Sequence, residues 1–381
     1  MKNVEEQFSK DLLIKKPSNS VRAYSDPIPA DLLIDIFSRV PAESIARFRC
    51  VSKFWGSILC RHDFTELFLT RSLTRPRLLF TFNVEDKLFI YSSPQPQNLE
   101  LDHGDNYSLV ATRYKDFPKH FTTKTRDDLS SGLVCLHGPG IERRRFACNP
   151  VTGEFTDLAK VKATHTRKTY VGYDPINKQF KVLFLAINGR HNHVVTFGNR
   201  KRRSTIECKR GHAGQYGQVC INGVLYYGAY FKESKSRVIV CFDFRFEKFS
   251  FIELDRDMHN VSLFNYKGKL GAYKFSNSYG QKLVLWVLED AEKHKWSGSM
   301  CVLSHLYNEK IGDNYYIVGI TSAGDIVFMP FGQLIPNFHL FFYNMERETC
   351  TRLDIEGFGE FGHHNFQVTT YLNFVENVTP L

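Results

Sequence analysis

The sequence predicts a multidomain α plus all-β chain, with a short helical N-terminal region followed by a large β domain whose repeat is that of a β-propeller. Apolar residues recur at helical spacing mainly between Ile28 and Ser72, whereas from Leu78 onwards short apolar strands alternate with turns. Glycine-containing turns in the β part recur at about 45 residues, the length of a four-stranded propeller blade. With 381 residues, the chain has room for both parts.

The helical region is predicted to contain three short helices between Ile28 and Phe64. Pro29 suits a first helical turn and Pro41 ends the first helix, because proline lacks the backbone N–H and clashes with the preceding turn. Ser52 offers an N-cap for a third helix carrying Phe54 and Trp55, and a helical tail continues to Ser72. Three short helices cannot bury all this apolar surface among themselves, so part of it is expected to face a partner.

The order of residues in this stretch resembles the F-box of plant F-box proteins. Ile-Pro-x-Asp-Leu-Leu begins at Ile28, Asp-Ile-Phe-x-Arg-Val-Pro at Asp35, and Val-Ser-Lys-x-Trp at Val51. Ile28 stands where leucine is usual and Asp35-Ile36-Phe37 where Glu-Ile-Leu is usual, but both departures keep the apolar face. The resemblance implies docking onto the SKP-family adaptor of a cullin–RING ubiquitin ligase. The docking candidates that it carries over are Ile28, Pro29, Leu32, Leu33, Ile36, Val40, Pro41, Ile45 and Val51. The alternatives are a purely local core, or a helix-turn-helix that binds DNA.

Four turn glycines set the repeat of the β domain. Gly132, Gly223, Gly268 and Gly324 each precede an apolar strand, and their separations of 91, 45 and 56 residues fit one period if a degenerate unit around Tyr173 to Leu185 follows Gly132. Division of the length predicts six blades, with five or seven possible, and a β-sandwich or paired sheets is the alternative architecture.

The same turns resemble the F-box-associated domain, a kelch-like plant module. The matching pieces are Ser131-Gly132-Leu133-Val134-Cys135, Cys148-Asn149-Pro150-Val151-Thr152-Gly153-Glu154, Gly172-Tyr173-Asp174-Pro175 and Gly223-Val224-Leu225-Tyr226-Tyr227. This resemblance implies that the β domain holds a target while the F-box holds the ligase. The predicted organisation is a flexible leader at 1–24, an F-box at 25–73 and the β domain at 77–375.

Composition places the protein among soluble intracellular proteins, in the nucleus and/or the cytoplasm. No apolar run approaches the roughly 18 residues of a membrane span, so no membrane association is expected. Nine cysteines without a C-x-x-C pair predict buried thiols in a reducing compartment. The run Arg200, Lys201, Arg202 and Arg203 resembles a nuclear import signal, with a solvated inter-blade loop as the alternative interpretation. The net charge of +10 is mostly scattered, and no aromatic residues interleave the basic runs, which disfavours nucleic acid as a partner.

No catalytic, metal or cofactor site is predicted. The sequence has no Gly-x-Ser-x-Gly elbow, no phosphate-binding glycine loop and no His-Glu-x-x-His, and Asp174 and Asp243 fit hairpin turns better than a glycosidase pair. His191, His193, Cys208 and His212 offer ligand types for zinc. The His191 and His193 part of this set lacks the cysteine pair that is usual in structural zinc sites, so we interpret the segment as a surface loop and not as a zinc site.

The function that these two resemblances imply is substrate recognition in an SKP–cullin–F-box (SCF) ubiquitin ligase. An unknown protein would be bound by the β domain for ubiquitination and proteasomal degradation, and this chain itself would not be an enzyme. The run Arg143, Arg144 and Arg145 is a candidate contact for an acidic or phosphorylated target. The alternative from another class is a propeller that binds a glycan or a nucleic acid without any ligase.

Overall fold

The computed structural model describes most of the two predicted parts. The described residues are 28–97, 107–114, 117, 121–123, 129–130, 132–138, 144–158, 166–187, 189–197, 202–254, 257–276, 282–302, 311, 314–331, 338–361 and 366–379. The predicted leader at 1–24 lies outside them. Within these ranges no helix has the length and apolar character needed to cross a membrane.

Four helices come first in the described chain. They are α1 (Ala30–Phe37), α2 (Ala42–Phe48), α3 (Lys53–Leu59) and α4 (His62–Leu73). Pro29 and Pro41 immediately precede α1 and α2, and the Ser52 hydroxyl accepts a hydrogen bond from the Trp55 N–H at 3.1 Å. The three predicted helices and the Ser52 cap are therefore confirmed, and the predicted helical tail is a fourth helix.

The β domain is a six-bladed propeller, as predicted. Blade 1 consists of β1 (Arg77–Val84), β2 (Lys87–Pro94), β4 (Thr112–Arg113) and β25 (Thr369–Phe374), and blade 2 of β5 (Leu129–Ser130), β6 (Leu133–His137), β7 (Arg145–Cys148) and β8 (Phe155–Asp157). Blade 3 consists of β9 (Thr166–Asp174), β10 (Gln179–Ala186), β11 (His191–Thr196) and β12 (Arg202–Glu207), and blade 4 of β13 (His212–Ile221), β14 (Val224–Phe231), β15 (Arg237–Asp243) and β16 (Lys248–Glu253). Blade 5 consists of β17 (Ser262–Tyr266), β18 (Lys269–Ser276), β19 (Lys282–Asp290) and β20 (Lys295–Val302), and blade 6 of β21 (Tyr315–Ile320), β22 (Ile326–Pro330), β23 (His339–Asn344), β24 (Thr349–Glu356) and β3 (Tyr107–Val110). Blade 3 is the degenerate unit that the repeat required.

Two strand exchanges between blades 1 and 6 close the ring. The C-terminal strand β25 pairs antiparallel with β1, so the last strand of the chain completes the first blade. Strand β3 leaves blade 1 and pairs in parallel with β24 at the outer edge of blade 6, and the Ala111 N–H then donates to the Glu356 carbonyl at 2.8 Å. The chain returns as β4 of blade 1, so the junction is held on both its inner and outer sides.

The repeated turn residues have local structural roles. Gly132, Gly223, Gly268 and Gly324 all have positive φ between 82° and 103° before the second strand of a blade. At Gly223 a Cβ would lie 2.5 Å from the Pro175 ring, so both the conformation and the space require glycine. The Asp174 carboxylate accepts hydrogen bonds from the Ile176 and Asn177 N–H groups, each at 3.0 Å, which confirms the turn interpretation of that aspartate.

The helices share a core with the propeller. Leu33, Phe37, Ile45, Ile58 and Phe64 are buried in one cluster with side chains from blades 1 and 2 and with the end of the chain. The propeller partners include Leu79, Ile90, Val134, Cys148, Phe374 and Val378. The helical region is therefore packed onto one end of the propeller and not carried on a free tether.

The expectation of buried thiols is confirmed for only four of the described cysteines. Cys135, Cys148, Cys208 and Cys241 are buried, Cys220 and Cys350 are half-buried, and Cys50 and Cys60, both in the helical region, are exposed. The exposed pair follows the ends of short helices, where the backbone turns outward into solvent.

Candidate docking surface

Exposed apolar side chains concentrate on α1 and at the start of α3. Ile28, Leu32 and Ile36 are 50%, 52% and 48% exposed, and Val51 and Phe54 are 60% and 51% exposed. Pro29 and Pro41 are also exposed. We refer to these seven residues as the docking surface. Apolar side chains grouped in this way on a folded domain are typical of interaction sites.

Three predicted docking residues do not belong to this surface. Leu33 and Ile45 are 4% and 1% exposed and lie in the core shared with the propeller, while Val40 is partly buried against that core. The reason is helix geometry: successive residues point about 100° apart, so Leu32 and Ile36 face outward while Leu33 faces inward. Phe54, by contrast, was predicted only as part of the apolar side of its helix, and its exposure became evident from the tertiary packing.

An aromatic cluster fixes the helices beneath the docking surface. The ring centroid of Trp55 lies 4.7 Å from that of Phe37 and 5.6 Å from that of Phe48, and the Phe37 and Phe48 centroids are 5.2 Å apart. Because each ring comes from a different helix, the three contacts hold α1, α2 and α3 in one arrangement. The outward side chains are thus presented by a rigid support.

Charged side chains from α4 and the residues after it hold the C-terminal end of α1. The Asp35 carboxylate pairs with Arg39 and Arg71, and these hydrogen bonds lower its pKa to about 2. Arg75 donates to the carbonyl oxygens of Ser38 at 3.0 Å and Val40 at 3.1 Å. Cations at a helix C-terminus satisfy its unpaired carbonyls and oppose its dipole, so this arrangement sets the position of α1 relative to α4.

The C-terminal segment after β25 joins the helices to the propeller. The Glu376 carboxylate, only 5% exposed, accepts hydrogen bonds from the Ala42 N–H at 3.3 Å and the Tyr114 hydroxyl at 2.9 Å, and lies 3.6 Å from Arg77. Ala42 is the first residue of α2, so the carboxylate lies at the positive end of that helix. Burial and the Glu376 charge both raise the pKa of Tyr114, which keeps the hydroxyl a donor.

The turn Asn149–Gly153 holds the same segment from the side of blade 2. The Asn149 side chain is fully buried, and its amide donates to the carbonyls of Asn377 at 2.9 Å and Thr379 at 3.1 Å. Its oxygen accepts the Val151 N–H at 3.0 Å. One asparagine thereby closes its own turn and ties the end of the chain to the propeller, a role that its sequence context did not reveal.

A cavity of about 640 Å³ lies between α4 and the inner strands of the propeller. Its walls come from Leu69 and Leu73 of α4 and from inner-strand residues such as Phe264 and Tyr371. At its rim Glu66 of α4 forms an ion pair with Lys178 of blade 3, and His62 lies 2.6 Å from the other Glu66 oxygen. The cavity therefore spans the two parts of the chain, and an ion pair fixes the position of α4 over it.

The candidate zinc ligands have other roles in the structure. His212 is fully buried; its Nε2 lies 2.7 Å from the Tyr227 hydroxyl and its Nδ1 lies 3.3 Å from the Arg210 carbonyl. Burial lowers the pKa of His212, so the ring is neutral, with Nδ1 donating and Nε2 accepting. His191 and His193 lie on β11, and the described residues contain no group of three or more side chains suited to a metal ion.

The two basic runs fall only partly within the described chain. Arg200 and Lys201 lie outside the described residues, while Arg202 and Arg203 begin strand β12. The interpretation of this run as an inter-blade loop is therefore wrong for Arg202 and Arg203, which lie in a strand. Of the other run, Arg143 lies outside the described residues, Arg144 has its guanidinium 3.9 Å from the Asp157 carboxylate, and Arg145 begins β7.

Comparisons with known proteins agree with this architecture. The F-box domain model matches residues 27–67, and the F-box associated beta propeller domain model matches residues 77–378. The chain belongs to the F-box proteins with this propeller. This F-box protein is 46% identical to a putative F-box protein of Arabidopsis thaliana over 99% of both chains. It is 39% identical to the Arabidopsis F-box protein DOR, over 93% of this chain and 94% of that one.

The likeness to solved structures is distant. TolB from Acinetobacter baumannii matches 78% of this chain and 66% of its own, with a TM-score of 0.44 and 8% identity. A likeness at this level has no bearing on function.

Proposed function

We propose that this F-box protein is the substrate-recognition subunit of an SCF-type E3 ubiquitin ligase. In this proposal the docking surface binds an SKP-type adaptor, and through it a cullin–RING ligase, while the propeller binds the protein to be ubiquitinated and degraded. The observation that carries the proposal is the group of half-exposed apolar side chains on α1 and α3, held on helices whose opposite faces are fully packed. An F-box domain implies such an adaptor contact.

The chemistry of ubiquitin transfer belongs, in this proposal, to other subunits. The receptor contributes proximity, because a bound target is held near the transferring subunit instead of meeting it by diffusion. Proximity is greatest when the two binding parts keep a fixed relation. The shared core, the Glu376 contacts and the Arg49 donation to the Val378 carbonyl at 3.1 Å all support a rigid connection here.

Co-expression with an SKP-type adaptor tests the proposal. Leu32→Asp with Ile36→Asp places two carboxylates in the docking surface and should abolish co-elution on size-exclusion chromatography, because a buried unpaired charge costs an interface several kcal/mol. The matched control is Phe246→Asp with Met300→Asp, which changes two propeller side chains of similar exposure, 58% and 63%. The control should still co-elute with the adaptor.

One result would contradict the ligase role and another the location of the docking surface. Wild-type protein that remains monomeric in the presence of adaptor would favour a propeller that acts without a ligase. Loss of the complex in both double variants would show that the added charge, and not its position on α1, was responsible.

We also propose that the protein works in the nucleus and/or the cytoplasm. The basic run beginning at Arg200 supports the nuclear component, because such runs are read by import receptors. A fluorescent fusion of the full chain tests this: substitution of Arg200, Lys201, Arg202 and Arg203 by alanine should shift the signal towards the cytoplasm. An unchanged distribution would remove the run from the proposal.

A further inference from the structure

The end of the propeller away from the helices has an uneven distribution of charge. The helices contact the end that carries the turns between first and second strands, as the Glu66–Lys178 pair shows. Turns between second and third strands, and the connections between blades, lie at the far end because neighbouring strands are antiparallel. This far end is free of the helical region and is therefore the open face for a target.

Cations collect on the far end where blades 3 and 4 meet. Three segments converge there: the β10–β11 turn, the β12–β13 connection and the β14–β15 turn. The Cys208 N–H donates to the Arg190 carbonyl at 2.7 Å, and the Lys232 N–H donates to the Gly211 carbonyl at 3.0 Å. We define the basic corner as the six cationic side chains of these segments, Arg190, Lys209, Arg210, Lys232, Lys235 and Arg237. Three described carboxylates accompany them, Glu207, Glu233 and Glu253.

The guanidinium at the centre of the corner is held in place. Arg210 lies 3.4 Å from the ring centroid of Phe231 and 5.8 Å from that of Phe251. Phe231 is only 1% exposed, so it is a fixed support beneath the charge. A cation positioned in this way loses little conformational entropy when it binds an anion.

The corner already accommodates two carboxylates of its own. The Glu253 carboxylate lies 3.9 Å from the Arg210 guanidinium. Glu233, whose side chain is 60% exposed, accepts a hydrogen bond from Arg190 at 2.8 Å. That hydrogen bond and the charges of Arg190 and Arg210 hold the pKa of Glu233 below its usual value. A carboxylate that arrives from outside would meet the same favourable field, because the exposed Lys209 and Lys235 extend it towards solvent.

The opposite side of the same end has the other sign. Glu85, Asp86, Glu356 and Glu360, at the far ends of blades 1 and 6, are all exposed, and they outnumber the cations beside them, Lys87 and Arg113. An acidic ligand is therefore attracted to the corner and repelled from the other side of the ring, which gives orientation as well as affinity.

We propose that the basic corner binds an acidic segment of the target protein, an extended peptide rich in aspartate and glutamate. This inference rests on the proposed role of the propeller in binding a target. Nucleic acid fits the corner less well, because Phe231 lies buried beneath Arg210 and offers no exposed face on which a base can stack.

Fluorescence anisotropy with the full chain tests the corner. The probe is a labelled peptide of alternating glutamate and serine, compared with its glutamine and lysine counterparts and with a labelled oligothymidylate. Wild-type protein should bind the acidic peptide at low salt and lose affinity as the Debye length shortens. Lys209→Glu with Lys235→Glu should weaken binding by roughly tenfold, since two attractions become repulsions.

The matched control is Lys293→Glu with Lys295→Glu, which makes the same change of net charge in the β19–β20 turn at the other end of the propeller. The control should keep the wild-type affinity. Equal loss in both variants would overturn the location. No binding of the acidic peptide, or tighter binding of the oligothymidylate at the corner, would overturn the ligand class.

Adaptor binding separates this inference from the proposed function. The corner variant should still co-elute with the SKP-type adaptor, because its substitutions lie at the far end of the propeller from the docking surface. A chain that binds the acidic peptide but ignores the adaptor would support the corner while contradicting the ligase role.

Discussion

Removal of the Glu376 carboxylate should destabilise the whole protein by several times more than removal of a similar carboxylate at the surface. Glu376 is nearly buried and contacts a tyrosine hydroxyl, an arginine and the first N–H of α2. Glu376→Ala leaves Arg77, 16% exposed, and the buried Tyr114 hydroxyl without this partner. Breaking one side of a buried ion pair costs about 3–5 kcal/mol.

Glu360→Ala is the matched control. Glu360 likewise accepts a hydrogen bond from a tyrosine, Tyr91 at 2.6 Å, and pairs with an arginine, Arg113 at 3.0 Å, but its side chain is 50% exposed. Exposed pairs contribute only about 0–1 kcal/mol because water screens them and replaces the lost hydrogen bond. The same chemical deletion is thus made in a buried and in an exposed setting.

Thermal unfolding followed by circular dichroism distinguishes the two variants. At roughly 2 °C per kcal/mol for a chain of this size, Glu376→Ala should lower Tm by about 6–10 °C and Glu360→Ala by no more than about 2 °C. Equal shifts would refute the argument that burial makes the Glu376 contacts important. A Tm loss confined to the helices, seen as a separate early transition, would refute the inference that they and the propeller form one cooperative unit.

Five further results are expected. Leu33→Ala should cost about 2–5 kcal/mol of unfolding free energy in urea without weakening the adaptor affinity of the folded protein, because Leu33 is buried in the shared core. Leu32→Ala, its exposed neighbour, should leave stability unchanged and weaken adaptor binding in calorimetry, and the reverse pattern would contradict the assigned register. Gly357→Ala should lower the free energy of unfolding by about 2–3 kcal/mol, because its φ is +105° and the new Cβ would lie 2.3 Å from the Ala111 carbonyl oxygen. The control Gly359→Ala should leave stability unchanged, because its new Cβ would have no atom within 4 Å. The pKa of His212 is lower in the folded than in the unfolded protein, so its contribution to the free energy of unfolding is complete above about pH 6.5 and declines as the pH falls. The urea midpoint of His212→Gln should therefore fall less than that of the wild type as the pH drops below that value. The folded-state pKa of Asp35 is about 2, so its carboxylate stabilises the folded protein above pH 3.8 and this stabilisation is lost as the pH falls towards 2. The stability of Asp35→Asn, followed in an acid titration, should not show this decrease.

Much of the architecture was determined by the sequence alone, because it depends on local patterns. The apolar spacing from Pro29 to Val40 and the Ser52 cap specify helices through backbone geometry. The repeated glycines, with Gly223 as an example, specify turns because only glycine adopts their conformation at low cost. A period of about 45 residues then specifies blades, since each unit must bury both of its faces against its neighbours.

Only the tertiary structure decided which side of each element meets which partner. Leu32 and Leu33 are the same type of residue and adjacent in sequence. Leu32 is half exposed and Leu33 is buried, because the propeller covers only one side of α1. Glu376 and Asn149 looked like ordinary polar residues, but the fold brings them to α2 and to the chain end across 334 and 228 positions. The same holds for the basic corner, whose cations come from three separate turns. Such contacts depend on packing between residues far apart in the sequence, and local sequence patterns do not predict that packing.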